Sequence, residues 1–99
     1  MPLTSKQRSF LRSQAHHLKS VYQIGKEGIT DASVQALMEV LSTHELVKVK
    51  VQESAPLSAR DAGAALVERV AGAEQVQTIG RTVVIYRRHP ESPEIKLPK

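Results

Sequence analysis

The sequence predicts one α/β domain of α+β type, with elements in the order α-β-α-β-α-β-β and a mixed four-stranded sheet. Three observations carry this. Apolar residues recur at helical spacing in some stretches, as at Val34, Leu37, Met38 and Leu41, and alternate strictly in others, as at Val47, Val49 and Val51. A hydroxyl residue suited to capping precedes each helical stretch: Thr4, Thr30 and Ser58. The length, 99 residues, provides for one core and not two. Helices that separate strands imply parallel neighbours, and a closing hairpin adds an antiparallel pair. The second and third helices are expected on one face of the sheet.

The first helix starts after Thr4, with Gln7 three residues on as in a capping box. Phe10, Leu11, Ala15 and Leu18 supply its apolar stripe, which leaves Lys6, Arg8 and Arg12 in solvent. Val21 to Ile24 is a short strand, ended by Gly25-Lys26-Glu27-Gly28. The second helix runs from about Asp31 to Thr43, capped by Thr30, with Ile29 and Val34 as a hydrophobic staple. Leu46 to Val51 is a strand with one buried side. Ser58 opens the third helix, Ala59, Ala62, Leu66 and Val70 face the core, and Gly72 is its expected C-cap. Gly63 inside that helix costs about 1 kcal/mol relative to Ala, tolerable where a neighbour packs closely. Val76 to Ile79 and Thr82 to Tyr86 form a hairpin through Gly80-Arg81. The domain is thus expected over 1–88. Residues 89–99 carry Pro90, Pro93 and Pro98 among charges and read as a tail that need not be ordered.

Cysteine is absent, which excludes disulfides, thiolate metal sites and a cysteine nucleophile. The net charge is +4, and it is unevenly spread. Residues 1–28 hold five basic side chains against Glu27 alone, residues 29–79 hold four against seven acids, and residues 80–99 hold five against two. If the two basic ends meet in space, the fold gains one positive region, suited to an anionic partner. No run of eighteen apolar residues suggests a membrane span, and Met1 to Arg12 lacks the apolar centre of a secretory signal, so the expectation is a cytoplasmic protein.

Gly25-x-x-Gly28 is the one loop that invites a chemical reading. Two glycines let backbone approach a phosphodiester closely, Lys26 adds charge, and the second helix begins just beyond. A four-residue loop of this kind clamps nucleotides in KH domains, although an ordinary strand-to-helix turn also explains it. His16, His17, His44 and His89 show no metal-ligand spacing and no paired nucleophile, so they are read as structural or surface residues, and no metal or cofactor is expected. Lys48 and Lys50, on the open side of a strand, read as solubilising. With only Phe10, Tyr22 and Tyr86 as aromatics, any grip on nucleic acid must rest on backbone and charge.

Several separated segments resemble a known family. Leu3-Thr-Ser-Lys-Gln-Arg8, Ala15-His-His-Leu-Lys19 and Val21-Tyr-Gln-Ile-Gly-Lys-Glu-Gly-Ile-Thr30 look like the opening of the CRM domain. His44-Glu-Leu-Val-Lys-Val-Lys50 and Gln77-Thr-Ile-Gly-Arg-Thr-Val-Val-Ile-Tyr-Arg87 match its later segments, and the length suits the stand-alone bacterial YhbY family. The resemblance covers residues 3 to about 88. It implies an RNA-binding module similar in fold to the C-terminal domain of translation initiation factor three. It further implies a link, in bacteria, to precursors of the large ribosomal subunit, and in plant relatives to group II intron splicing. Carried onto this chain, the RNA-facing loop is Gly25, Lys26, Glu27 and Gly28, and Lys6, Arg8, Arg12 and Lys19 extend the surface. Glu27 at the tip would repel phosphate unless it points away.

The resulting expectation is a non-enzymatic RNA-binding protein in ribosome assembly, monomeric, with rRNA as partner and neither membrane nor small-molecule substrate. The alternative is a protein-interaction adaptor whose RNA affinity is incidental. Steep weakening with salt separates the first from the second.

Overall fold

Hydroxyl caps set the helix starts. In the computed structural model, which describes residues 3–91 and 93–98, helix α1 spans Ser5–Ala15. The Gln7 N–H donates to Thr4 Oγ1 at 3.1 Å and the Thr4 N–H donates to Gln7 Oε1 at 3.0 Å, closing the expected box. Helix α2, Asp31–Leu41, uses Thr30 and Ser33 reciprocally in the same way. It ends two residues before the expected Thr43, where the Ser42 and Thr43 hydroxyls donate back to the Glu39 and Val40 carbonyls. Helix α3, Ala59–Arg69, begins where Ser58 accepts the Asp61 N–H at 3.1 Å. Gly72 is not its C-cap. The helix stops at Arg69, Val70 is already extended, and Gly72, with φ +82°, sits at the third position of a turn closed by the Ala73 N–H on the Val70 carbonyl.

Strands β1 (Ser20–Ile24), β2 (Leu46–Val51), β3 (Ala73–Ile79) and β4 (Thr82–Arg87) form one sheet in the order β1-β2-β4-β3. β1 and β2 are parallel neighbours across α2, while β4 pairs antiparallel with both β2 and β3. The second crossover, through α3, therefore spans two positions, because the hairpin folds β4 back into the gap between β2 and β3. Gly80, at φ +56°, opens the two-residue connection with positive φ at its first position only, the pattern of a type II′ turn. β1, β2 and β3 run the same way, so their C-terminal ends, and the segments after Ile24, Val51 and Ile79, all lie at one end of the sheet.

Alternation along the strands sorts the core into two clusters. Val47, Val49, Val51, Val83 and Ile85 pack with Val34, Leu37 and Leu41 of α2 and Ala59, Ala62 and Leu66 of α3, so α2 and α3 share one face as expected. Leu46, Val84, Tyr86 and Val76 pack with Leu11 and Ala15 of α1 on the other. At Gly63, α3 lies close against the sheet. A Cβ there would stand 2.6 Å from Val83 Cγ2 and 2.6 Å from Gln75 Nε2. The helix-propensity cost is thus offset by close packing.

The C-terminal segment lies back against the α1 side. Ile95 and Leu97 pack on the second cluster with Leu3 and Phe10, and Gln7 Nε2 donates to the Pro98 carbonyl at 3.1 Å. Glu45 is buried, only 7% exposed, and its carboxylate accepts the backbone N–H groups of His89 at 2.8 Å and of Glu94 and Ile95, both at 2.7 Å. Burial acts to raise its pKa, but these bonds and the nearby His89 outweigh that and hold it below the ordinary carboxylate value. Burial, and then the Glu45 charge, raise the pKa of Tyr86, whose buried hydroxyl has no hydrogen-bond partner among the described residues. The two basic ends do meet, through α1 and this segment; Lys99 lies outside the described residues. No helix among the described residues is long and apolar enough to cross a membrane.

Candidate nucleic-acid interface

The Gly25–Gly28 loop is a tight turn at the end of β1, closed by the Gly28 N–H on the Gly25 carbonyl at 2.9 Å. Lys26 and Glu27 occupy its two central positions, and both are exposed. The glycines do different work. Gly28 is buried at φ +71°, and a Cβ on it would stand 3.1 Å from the Pro56 ring. It is required by the turn and by packing, so a substitution there strains the fold before it touches any ligand. Gly25 is half-buried with an ordinary φ, and a Cβ on it would meet only the Gln52 side chain, at 3.2 Å.

The segment after β2, which matches no motif in the sequence, seats this loop. The Gln52 N–H donates to the Ile24 carbonyl at 2.8 Å, Gln52 Nε2 donates to Gln23 Oε1 at 2.6 Å, and Pro56 and Leu57 lie under Gly28. Arg81 reaches over from the hairpin and donates to the Gln52 carbonyl at 3.3 Å, with Glu53 4.0 Å away. A shallow depression of about 390 Å³ runs beside the turn, lined among others by Tyr22, Gln23, Lys26, Thr30 and Gln52. The first turn of α2 lies just beyond, but its positive dipole end already faces Asp31, which pairs with Arg69 of α3. Lys26 is therefore the exposed cation of the turn, and the helix end is already matched by an acidic side chain.

The structure gathers some of the sequence-predicted residues and separates others. Lys26 and Glu27 are neighbours at the exposed tip of the turn. Arg12 is exposed on α1 and lines a depression with Ser9, Ser13, His16, Gln77 and Ile79. Lys19 is exposed just before β1. Lys6 is exposed, but the start of α1 lies by Gly72 and Arg87, at the opposite end of the sheet from the loop. Arg8, expected in solvent, is half-buried. Its guanidinium donates to the Gln75 carbonyl at 2.6 Å, beside the irregularity where β3 shifts register against β4. A carbonyl turned out of a ladder needs a donor, and Arg8 supplies it. Arg81 had no place among the sequence-predicted site residues; its position in a two-residue hairpin was readable, but its reach to Gln52 was not.

Against known proteins, the CRS1 / YhbY (CRM) domain model matches residues 3–87. Probable RNA-binding protein YqeI of Bacillus subtilis is 42% identical over 96 residues, covering 97% of this chain and 99% of that one. An RNA-binding protein of Haemophilus influenzae is 38% identical over 97 residues, covering 98% and 96%. The solution structure of hypothetical protein SAV1595 from Staphylococcus aureus superposes with a TM-score of 0.82 at 38% identity, covering 98% of this chain and all of that one. With the fold, the glycine turn and these likenesses together, the chain belongs to the CRS1/YhbY (CRM) domain family.

Proposed function

We propose that this protein binds RNA without catalysing a reaction on it, and that its RNA is ribosomal, in cytoplasmic precursors of the large subunit. The observation that carries the reading is the exposed Lys26 turn, seated on Gln52 and Pro56 with Arg81 bonded to the Gln52 carbonyl, in a chain whose relatives are named RNA-binding proteins. The RNA-binding unit on this reading is residues 1–88, and the described part of the 89–99 tail is strapped to its α1 side through Glu94, Ile95 and Leu97. Binding rests on charge and backbone approach, since no aromatic platform is available, so discrimination comes from RNA shape.

The test is co-sedimentation. The protein should travel with immature large subunits and be depleted from mature ones. Simultaneous charge reversal at Lys6, Arg12 and Lys26, all exposed and outside the core, should abolish this while leaving the melting temperature near that of the parent. If the triple variant still travels with the precursor, the docking is through protein contacts.

A further inference from the structure

The sheet face on the α1 side is only partly covered. Cross-strand partners share a face, so the pairings Gln23↔Lys50, Lys50↔Thr82 and Thr82↔Ile79 place four side chains in one row across all four strands. This row lies on the α1 side, because Leu46, Val84 and Tyr86 of the same strands pack beneath α1. Yet α1 does not reach it: Val84, two residues along β4, is fully buried, whereas Lys50 and Gln23 are exposed and Ile79 is 50% exposed. Lys48, one row back, is half-buried.

The result is a ledge. Its floor is the row Gln23–Lys50–Thr82–Ile79, about 14 Å long at roughly 4.8 Å per strand and about 7 Å deep at two residues of rise. α1, about 10 Å in diameter, forms its wall. The residues on that wall, Ser9, Arg12, Ser13 and His16, are spaced as one helix face and line the depression that includes Ile79. At the β1 end the ledge runs into the Gly25–Gly28 turn through the Gln23–Gln52 hydrogen bond. Among the described residues, Arg12, Lys26, Lys48 and Lys50 form no ion pair. The acids nearby are Glu27, at the loop tip, and Glu53, which faces Arg81.

The geometry points to this ledge as the track for a single-stranded RNA segment, running across the strands from the glycine turn past Lys50 and Lys48 to Arg12. The inference rests on the RNA-binding reading above and adds strandedness and the lysines to it. A single strand fits a recess this narrow, with phosphates on the lysines and sugars or bases on Ile79 and Thr82. A paired helix is wider than this floor and meets the α1 wall before its backbone reaches it.

The experiment measures binding of one short RNA, unpaired or closed into a hairpin duplex, across a salt series. The proteins are the parent, Lys48→Gln/Lys50→Gln and Lys26→Gln. The parent should prefer the unpaired form. The double variant, with its melting temperature checked, should lose affinity, and its log–log salt slope should be shallower by about 1.4, the value for two single-strand phosphates. If the double variant does not fold, Lys50→Gln alone should give about half that change. In the parent, the Ile79 and Thr82 methyl resonances should shift on titration with the unpaired RNA, which a distant charge effect would not produce. Equal or better binding of the duplex, an unchanged slope, or unmoved methyls would overturn the ledge while leaving RNA binding through Lys26 in place. No binding of either form at low salt would overturn the RNA-binding reading itself, and the ledge with it.

Discussion

Replacing Glu45 by Ala should release the C-terminal segment and leave the sheet intact. One carboxylate accepts three backbone N–H groups, from His89, Glu94 and Ile95, at 2.7 to 2.8 Å. Hydrogen bonds to a charged group contribute about 1.5–3 kcal/mol each, but N–H groups of a freed segment return to water, so the losses do not simply add. Ile95 and Leu97, half-buried against Leu3 and Phe10, lose part of their packing as well. The expected cost is about 3 kcal/mol, above a single ordinary bond and below three charged ones. For a domain of this length that lowers the melting temperature by roughly 12–24 °C. Glu45→Gln keeps one acceptor oxygen and should fall between the two. The assay is thermal melting with amide hydrogen exchange by NMR. The Glu94 and Ile95 amides should lose protection in Glu45→Ala, while Val49 and Ile85 keep theirs under native conditions. If the Ile95 amide stays protected in the variant, the carboxylate is not what holds the strap.

The same contact makes docking pH-dependent. The folded pKa of Glu45 lies below its ordinary 4.5, so the stabilisation is complete above that value and lost as pH falls through the folded one; acid titration followed at the Ile95 amide should show release there. Gly28→Ala should cost about 1–2 kcal/mol from its left-handed backbone alone, with more from the Pro56 ring, whereas Gly25→Ala should be milder; chemical denaturation compares them. Gly63→Ala should destabilise by about 1–3 kcal/mol despite the better helix former, because its Cβ would overlap Val83 and Gln75. Glu27→Lys should tighten RNA binding and steepen its salt slope, since it replaces the one acid at the loop tip; an unchanged slope would mean that phosphate does not approach the turn.

Local chemistry made much of this fold legible in the sequence. Thr4, Thr30 and Ser58 cap helices because a hydroxyl can meet an orphan N–H within three residues, and Val47, Val49 and Val51 face one way because strand alternation has period two. The glycine turn, its exposed Lys26 and the pairing of β3 with β4 follow from the same short-range rules. What the sequence could not supply are contacts between residues far apart in the chain. The burial of Gly28 depends on Pro56, the capture of Arg8 on a register shift in β3, and the ordering of the last residues on Glu45, some fifty positions earlier. Ile95 and Leu97, alternating among prolines, were the one sequence signal that the segment had an apolar side to bury. Lys48 and Lys50 read as solubilising because periodicity tells which face a residue is on, but not how far a helix extends across that face. Tertiary packing alone decided that α1 stops short of Lys50, and so left a row of the sheet open beside the loop.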